Sequence, residues 1–176
     1  MEVFTIPYME DNLGYYVHKK GHPDGGVFID CGDFTAYKKF MAAKSVTPGM
    51  LLITHRHYDH SDGNADFKAA LPHVKVAAGK IDNVKCADLQ LKDEDTLSVS
   101  GLKIKALHTP CHTKGHICYY VEVEGGSEEE EKGSEHVNTM DGPYMITSGL
   151  QQALFTGDTF FNSTVGRFFE GDAAQM

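Results

Sequence analysis

Of the ten histidines in 176 residues, His55, His57 and His60 fall within six positions, and His108, His112 and His116 within nine. The first group lies in Thr54-His55-Arg56-His57-Tyr58-Asp59-His60, directly after the apolar run Met50 to Ile53. Residues two apart on extended backbone face the same side, so His55 and His57 can close on one ion. Neutral imidazole nitrogens suit zinc and its neighbours in the borderline range, at about 2.0–2.1 Å. Asp59 and His60 follow with the opposite facing, which suits a second ion beside the first. The bland alternative is a histidine-rich surface loop without metal. The position of H-x-H-x-D-H after a buried strand weighs against it, because strand C-termini are where α/β scaffolds present sites.

The second cluster, His108-Thr109-Pro110-Cys111-His112-Thr113-Lys114-Gly115-His116, also follows a strand-like run and can complete a site begun by His55 and His57. Cys111 offers a thiolate ligand or nucleophile, but it has no C-x-x-C partner, and a lone cysteine is more often a small core residue. Asp158 ends a third apolar run, Leu154-Phe155-Thr156-Gly157-Asp158, where a carboxylate can bridge two cations or simply form a turn.

Short strands are expected at Val3 to Pro7, Tyr15 to His18 and Gly26 to Ile29, forming a meander with turns at Asp11-Asn12 and Pro23 to Gly26. Phe34, Tyr37, Phe40 and Met41 recur at helical spacing and predict a helix from Phe34 to Lys44. Met50 to Ile53 reads as a buried strand, Thr54 to His60 as a polar loop, and Ser61 or Asp62 to Ala70 as a helix. Further strands are expected at Val74 to Ala77, Leu97 to Val99, Leu102 to Leu107 around a Ser100-Gly101 turn, His116 to Val123, and Ala153 to Thr156. The Gly-, Ser- and Glu-rich span from Glu124 to Leu150 has no sustained period and reads as a solvated, mobile insert that packs against nothing.

Composition sets the frame: 41% apolar and 23% charged residues describe an ordinary globular domain, and four cysteines do not make a disulfide scaffold. Net charge is −9, of which the segment from Glu122 to Asp141 holds −7 through eight acids against Lys132 alone, so no nucleic-acid-binding surface is expected. No apolar run approaches the roughly 18 residues of a membrane span. The N-terminus is acidic where a targeting peptide would be basic, which makes the cytoplasm the default address, with a mitochondrial form left open.

The runs T-H-x-H-x-D-H, H-T-P-x-H-T-x-G-H and F-T-G-D-T, in that order, resemble the successive motifs of the metallo-β-lactamase superfamily, and Phe28-Ile29-Asp30-Cys31-Gly32 resembles its early Asp-x-Gly motif. More narrowly, T-P-C-H-T-K-G-H-I-C-Y-Y, L-F-T-G-D-T-F-F and V-G-R-F-F-E-G-D-A-A-Q-M are similar to glyoxalase II, the hydroxyacylglutathione hydrolases. The resemblance implies an α+β fold, an αβ/βα sandwich of two mixed sheets covered by helices, with metals at one edge between the sheets. It implies that His55, His57 and His112 bind one ion, that Asp59 and His60 bind a second, and that Asp158 bridges them. His108 and His116 then fall outside the ligand set, with His116 as a support. Two divalent ions are implied per complete site, zinc first, with iron or manganese as alternatives. The family adds another histidine to the second ion, and no histidine follows His136 here. The family also continues into a C-terminal helical domain that binds glutathione. The expectation is therefore an incomplete metallo-β-lactamase-like domain, truncated within its second half, with an open strand edge and a tendency to self-association. Arg167 occupies the family's basic position toward glutathione, and Phe169 stands where a tyrosine is common.

The function that follows is metal-dependent hydrolysis of a glutathione thioester of the S-D-lactoylglutathione type, in methylglyoxal detoxification. Water between two divalent ions loses a proton near neutral pH, so metal-bound hydroxide is the expected nucleophile, with Asp59 orienting it. The rivals are a persulfide dioxygenase or lactonase on the same fold, and a catalytically impaired paralogue that binds one metal.

Overall fold

The computed structural model describes residues 1–125, 137–172 and 174–175. The chain opens as the expected meander of β1 (Glu2–Tyr8), β2 (Asn12–His18) and β3 (Val27–Ile29), and α1 (Phe34–Lys44) then crosses to β4 (Met50–Ile53). Asp33 caps α1 by accepting a hydrogen bond from Thr35 N, and Lys44 complements its C-terminal end. Next come α2 (Tyr58–Ser61), α3 (Asn64–Ala70), β5 (Lys75–Gly79) and β6 (Leu89–Leu91). The remaining strands are β7 (Thr96–Val99), β8 (Leu102–His108), β9 (Ile117–Val123), β10 (Val137–Asp141), β11 (Tyr144–Ser148) and β12 (Gln152–Phe155).

These strands form one sheet ordered β10-β11-β1-β2-β3-β4-β5-β6 and a second ordered β12-β9-β8-β7. Period-two alternation assigns each face. Val27, Ile29, Leu52 and Ala77 point into the layer shared with Leu102, Ile104, Tyr119, Val121 and Phe155 of the second sheet. Phe28, Leu51, Ile53 and Val76 point the other way, onto Tyr37 and Phe40 of α1 and Phe67 of α3. Strands β3 and β4 are thus buried on both faces, which is why they read as unbroken apolar runs.

Several expectations need correction. The span from Glu124 to Leu150 is not a single unpacked insert: β10 and β11 form a hairpin, and β11 pairs with β1 from Glu2↔Ser148 to Thr5↔Met145. Tyr144 is buried edge-on against Phe40 with ring centroids 5.0 Å apart. The hairpin escapes periodicity because β10 is exposed along its whole length and β11 buries one side chain. The most acidic stretch, 126–136, lies outside the described residues. Asp59 and His60 sit on the single turn α2 rather than in a loop, held by His60 N and Ser61 N donating to His57 O. Helix α3 accordingly starts at Asn64, later than Ser61 or Asp62. Strand β6, three residues long, carries too little pattern to be foreseen. Among the described residues the first sheet is mixed, while every pairing in the second is antiparallel. Among the described residues no helix is long and apolar enough to cross a membrane.

Candidate metal centre

Three ring nitrogens converge where β4 ends. His55 Nε2 lies 3.1 Å from His57 Nδ1, which lies 2.9 Å from His112 Nε2. Each separation is close to the ~3.3 Å edge of a tetrahedron with metal–nitrogen bonds of about 2.0–2.1 Å.

The outward nitrogens fix which lone pairs face inward. His112 Nδ1 donates to Arg167 O at 2.9 Å, leaving Nε2 an acceptor. Thr54 Oγ1 donates to the Asp30 carboxylate, at 2.9 Å from Oδ2, so the same oxygen accepts from His55 Nδ1 at 3.1 Å and frees His55 Nε2. Burial, reinforced by His60, His116, His112 and His57, drives the His55 pKa far below its ordinary value. Burial and His112 lower that of His57. His55 and His57, kept neutral, thus meet His112 Nε2 around a space that suits a cation.

A second group, His55, His60 and Asp158, has donor atoms within 4.8 Å of one another. His60 Nδ1 donates to Asp30 Oδ2 at 2.8 Å. Its Nε2 is buried 3.1 Å from Asp158 Oδ1 and 3.5 Å from Asp59 Oδ2, aligned with neither as a hydrogen bond. Burial opposes charge on His60, but Asp30, Asp158 and Asp59 together push its pKa up to about 12, so this position demands positive charge. Asp158 also places Oδ2 3.3 Å from His112 Nε2, giving one oxygen to each group. Burial works to raise the Asp158 carboxyl, yet His60 and His112 hold it below the usual carboxylate range. The neighbouring His60 holds the Asp59 carboxyl well down against its burial, helped by Asn12 Nδ2 donating to Oδ2 at 3.1 Å. These donors fit divalent cations.

The structure brings together His55, His57, Asp59, His60, His112 and Asp158, drawn from the loop after β4, from α2 and from the turns after β8 and β12. Phe169 stands edge-on to His112 and His57 at 5.1 and 5.8 Å, and Arg167 lies over its ring at 5.0 Å. Cys111 is buried and belongs to neither donor group, and burial raises its thiol pKa. His108 donates to or accepts from nothing in the centre, since its Nε2 meets Lys114 O at 2.8 Å. His116, buried and pushed down to about 3 by burial and then His112, accepts from Asp158 N at 3.2 Å. Gly157, at φ 47°, is required beneath it, because a Cβ would meet Thr54 Oγ1 at 2.6 Å and His116 Nε2 at 2.8 Å.

His116 apart, sequence reasoning missed the supporting residues. Asp30 adopts φ 59° at the end of β3, a left-handed conformation uncommon for aspartate, and unites Thr54, His55 and His60. Its place in Asp-x-Gly was the available signal. Asn12 read only as a turn former, and nothing marked Tyr8, whose hydroxyl donates to Asp59 O at 2.8 Å. A cavity of about 680 Å³ opens beside Asp59, His60 and Asp158, bordered by Leu13, Phe160 and Phe161. Arg167 and Phe169 do not line it and stand on the His57–His112 side.

This sandwich, with its histidine centre at the strand ends, places the chain in the metallo-beta-lactamase superfamily, whose profile matches residues 14–175. It belongs to that superfamily and binds divalent metal. Among curated relatives, the chain is 36% identical over its whole length to a cytoplasmic hydroxyacylglutathione hydrolase of Arabidopsis thaliana, and covers 59% of that protein. It is 39% identical over 79% of its length to a probable hydroxyacylglutathione hydrolase of Schizosaccharomyces pombe, and covers 44% of it. The chain therefore spans about half the length of these relatives. Among solved structures, the B3 metallo-beta-lactamase BLEG-1 superimposes with a TM-score of 0.72 at 21% identity, over 98% of this chain and 80% of that one. That likeness shows the fold.

Proposed function

We propose that the chain hydrolyses a glutathione thioester, S-D-lactoylglutathione or a close analogue, to glutathione and a 2-hydroxy acid, and that it does so in the cytoplasm on two zinc ions. The observation that carries this reading is Asp158, which offers one oxygen to each histidine group in a chain whose relatives are named as thioester hydrolases. His55, His57 and His112 would hold the first ion and His60 and Asp59 the second, with Asp158 placed to offer an oxygen to each.

When bound, such a pair supplies a nucleophilic water at neutral pH and polarises a carbonyl oxygen. Asp59, ionised and steadied by Asn12, would orient that water by accepting its hydrogen bond. His116 holds the Asp158 backbone in place by accepting from its N–H. Arg167, cationic and stacked on Phe169, faces the carboxylates of glutathione. The leaving thiol, with a pKa of about 8.5 by analogy with cysteine, departs as thiolate without a strong acid. A serine or cysteine nucleophile has no task here, and buried Cys111 is not placed for one.

The test is thioester hydrolysis by the zinc-loaded protein with Asp59→Asn and Cys111→Ser beside it. Loss of at least ~10²-fold is expected for Asp59→Asn, which removes a ligand and the orienting carboxylate, and most activity is expected to persist in Cys111→Ser. A cysteine variant that is dead with its metal intact would overturn the proposal, as would consumption of glutathione persulfide with no thioester turnover.

A further inference from the structure

Arg56 lies between two of the histidines, and alternation along the strand end turns its side chain away from theirs. It meets two carboxylates. Asp82, buried in the connection between β5 and β6, accepts from Arg56 N at 3.0 Å and Arg56 Nη1 at 3.1 Å. It also accepts from Thr113 Oγ1 and Gly115 N, each at 2.7 Å. Four donors saturate its two oxygens and tie the loop of His55 and His57 to the loop of His112. Gly115 is required at this contact, since a Cβ would stand 2.2 Å from Asp82 N.

The second carboxylate is Glu170. Its Oε2 accepts from Arg56 Nη1 at 3.1 Å and Lys114 N at 2.8 Å, and its Oε1 accepts from Arg56 Nη2. Its own N–H donates to Cys111 O at 3.0 Å. Hydrogen bonding to Arg56 and then to Lys114 N holds its carboxyl down at about 2. Glu170 closes the stretch that presents the exposed Arg167 and Phe169, whose side chains stack on each other, with the ring against His57 and His112. Residue Arg167 also supplies the carbonyl that orients His112.

We propose that Asp82, Arg56 and Glu170 form a clamp that positions residues 167–170 against the histidine cluster, making Arg56 and Glu170 positioning residues for the glutathione part of the substrate. This rests on the thioester reading for the substrate's identity. The fork geometry is the physical core: guanidinium and carboxylate meet through two parallel donors, a geometry lysine cannot reproduce.

The experiment compares wild type, Glu170→Ala, Glu170→Gln and Arg56→Lys, zinc-loaded, by titration with a non-hydrolysable S-alkylglutathione, by steady-state kinetics, and by amide hydrogen exchange. Glu170→Ala is expected to weaken S-alkylglutathione binding and raise KM by at least ~5-fold, with kcat within about twofold and zinc content unchanged. Exchange of the amides of residues 167–170 is expected to quicken at least ~10-fold while the sheet amides hold their rates. Arg56→Lys is expected to follow Glu170→Ala, and Glu170→Gln, which keeps one acceptor, to fall between it and wild type. Unchanged exchange in Glu170→Ala would overturn the clamp, as would unchanged binding. A wild type that neither binds S-alkylglutathione nor hydrolyses a thioester would sink the thioester reading alone, and the exchange comparison would still decide the clamp.

Discussion

Thr54 gives the sharpest test of how the metal centre is built, because one hydroxyl has two duties there. It donates to Asp30 and accepts from His55 Nδ1, with Thr54 and His55 fully buried and Asp30 nearly so. Thr54→Val keeps the shape and removes both bonds. The His55 N–H is left buried without a partner, at a cost of about 1–3 kcal/mol. Nothing then selects the tautomer that turns Nε2 toward His57, and loss of such an outer partner typically lowers metal affinity about 10–100-fold. Thr54→Ser inverts the pattern: it keeps the hydroxyl and loses one buried methyl, worth about 1 kcal/mol, with zinc affinity retained. Urea unfolding of the metal-free proteins and zinc competition against a chromophoric chelator measure the two quantities separately. If Thr54→Val binds zinc within twofold of wild type, the hydroxyl does not set the His55 tautomer and the reasoning fails.

The two ion sites are unequal, since His55, His57, His112 and Asp158 offer a full set to one while His60, Asp59 and the shared Asp158 serve the other. The chain dialysed against metal-free buffer is therefore expected to keep close to one divalent ion, and elemental analysis finding two would contradict this. Tyr144→Ala removes a buried ring from Phe40 and is expected to cost about 2–4 kcal/mol in denaturant unfolding, whereas a loss under ~1 kcal/mol would mean that the β10–β11 hairpin merely drapes over β1. Glu170 has a folded pKa of about 2 against an ordinary 4.5, so its pairing with Arg56 stabilises the fold above pH 4.5 and that gain fades as pH falls towards 2. Solvent screening keeps the gain under ~1 kcal/mol, and the stability gap between wild type and Glu170→Gln should narrow from pH 6 to pH 3; a gap that widens would contradict the assignment.

The sequence by itself pointed to the strand β4 that is buried on both faces, because an unbroken apolar run as short as Met50 to Ile53 suits a covered strand better than a helix. It determined α1 to the residue, since period and cap agree there. It also picked out the histidines and carboxylates that the fold gathers at one point, because candidate ligands must be of particular types at particular spacings. Only the tertiary structure decided what holds them. Asp30, Asn12, Tyr8 and Asp82 lie far along the chain from the site residues they support, and these hydrogen bonds span 26 to 51 positions in sequence. The β10–β11 hairpin belongs to the fold for the same reason. Strand β10 is exposed throughout and β11 buries only Tyr144, so neither carries a period that identifies it, and backbone pairing of β11 to β1, which any sequence without proline can make, is what fixes the hairpin in the sheet.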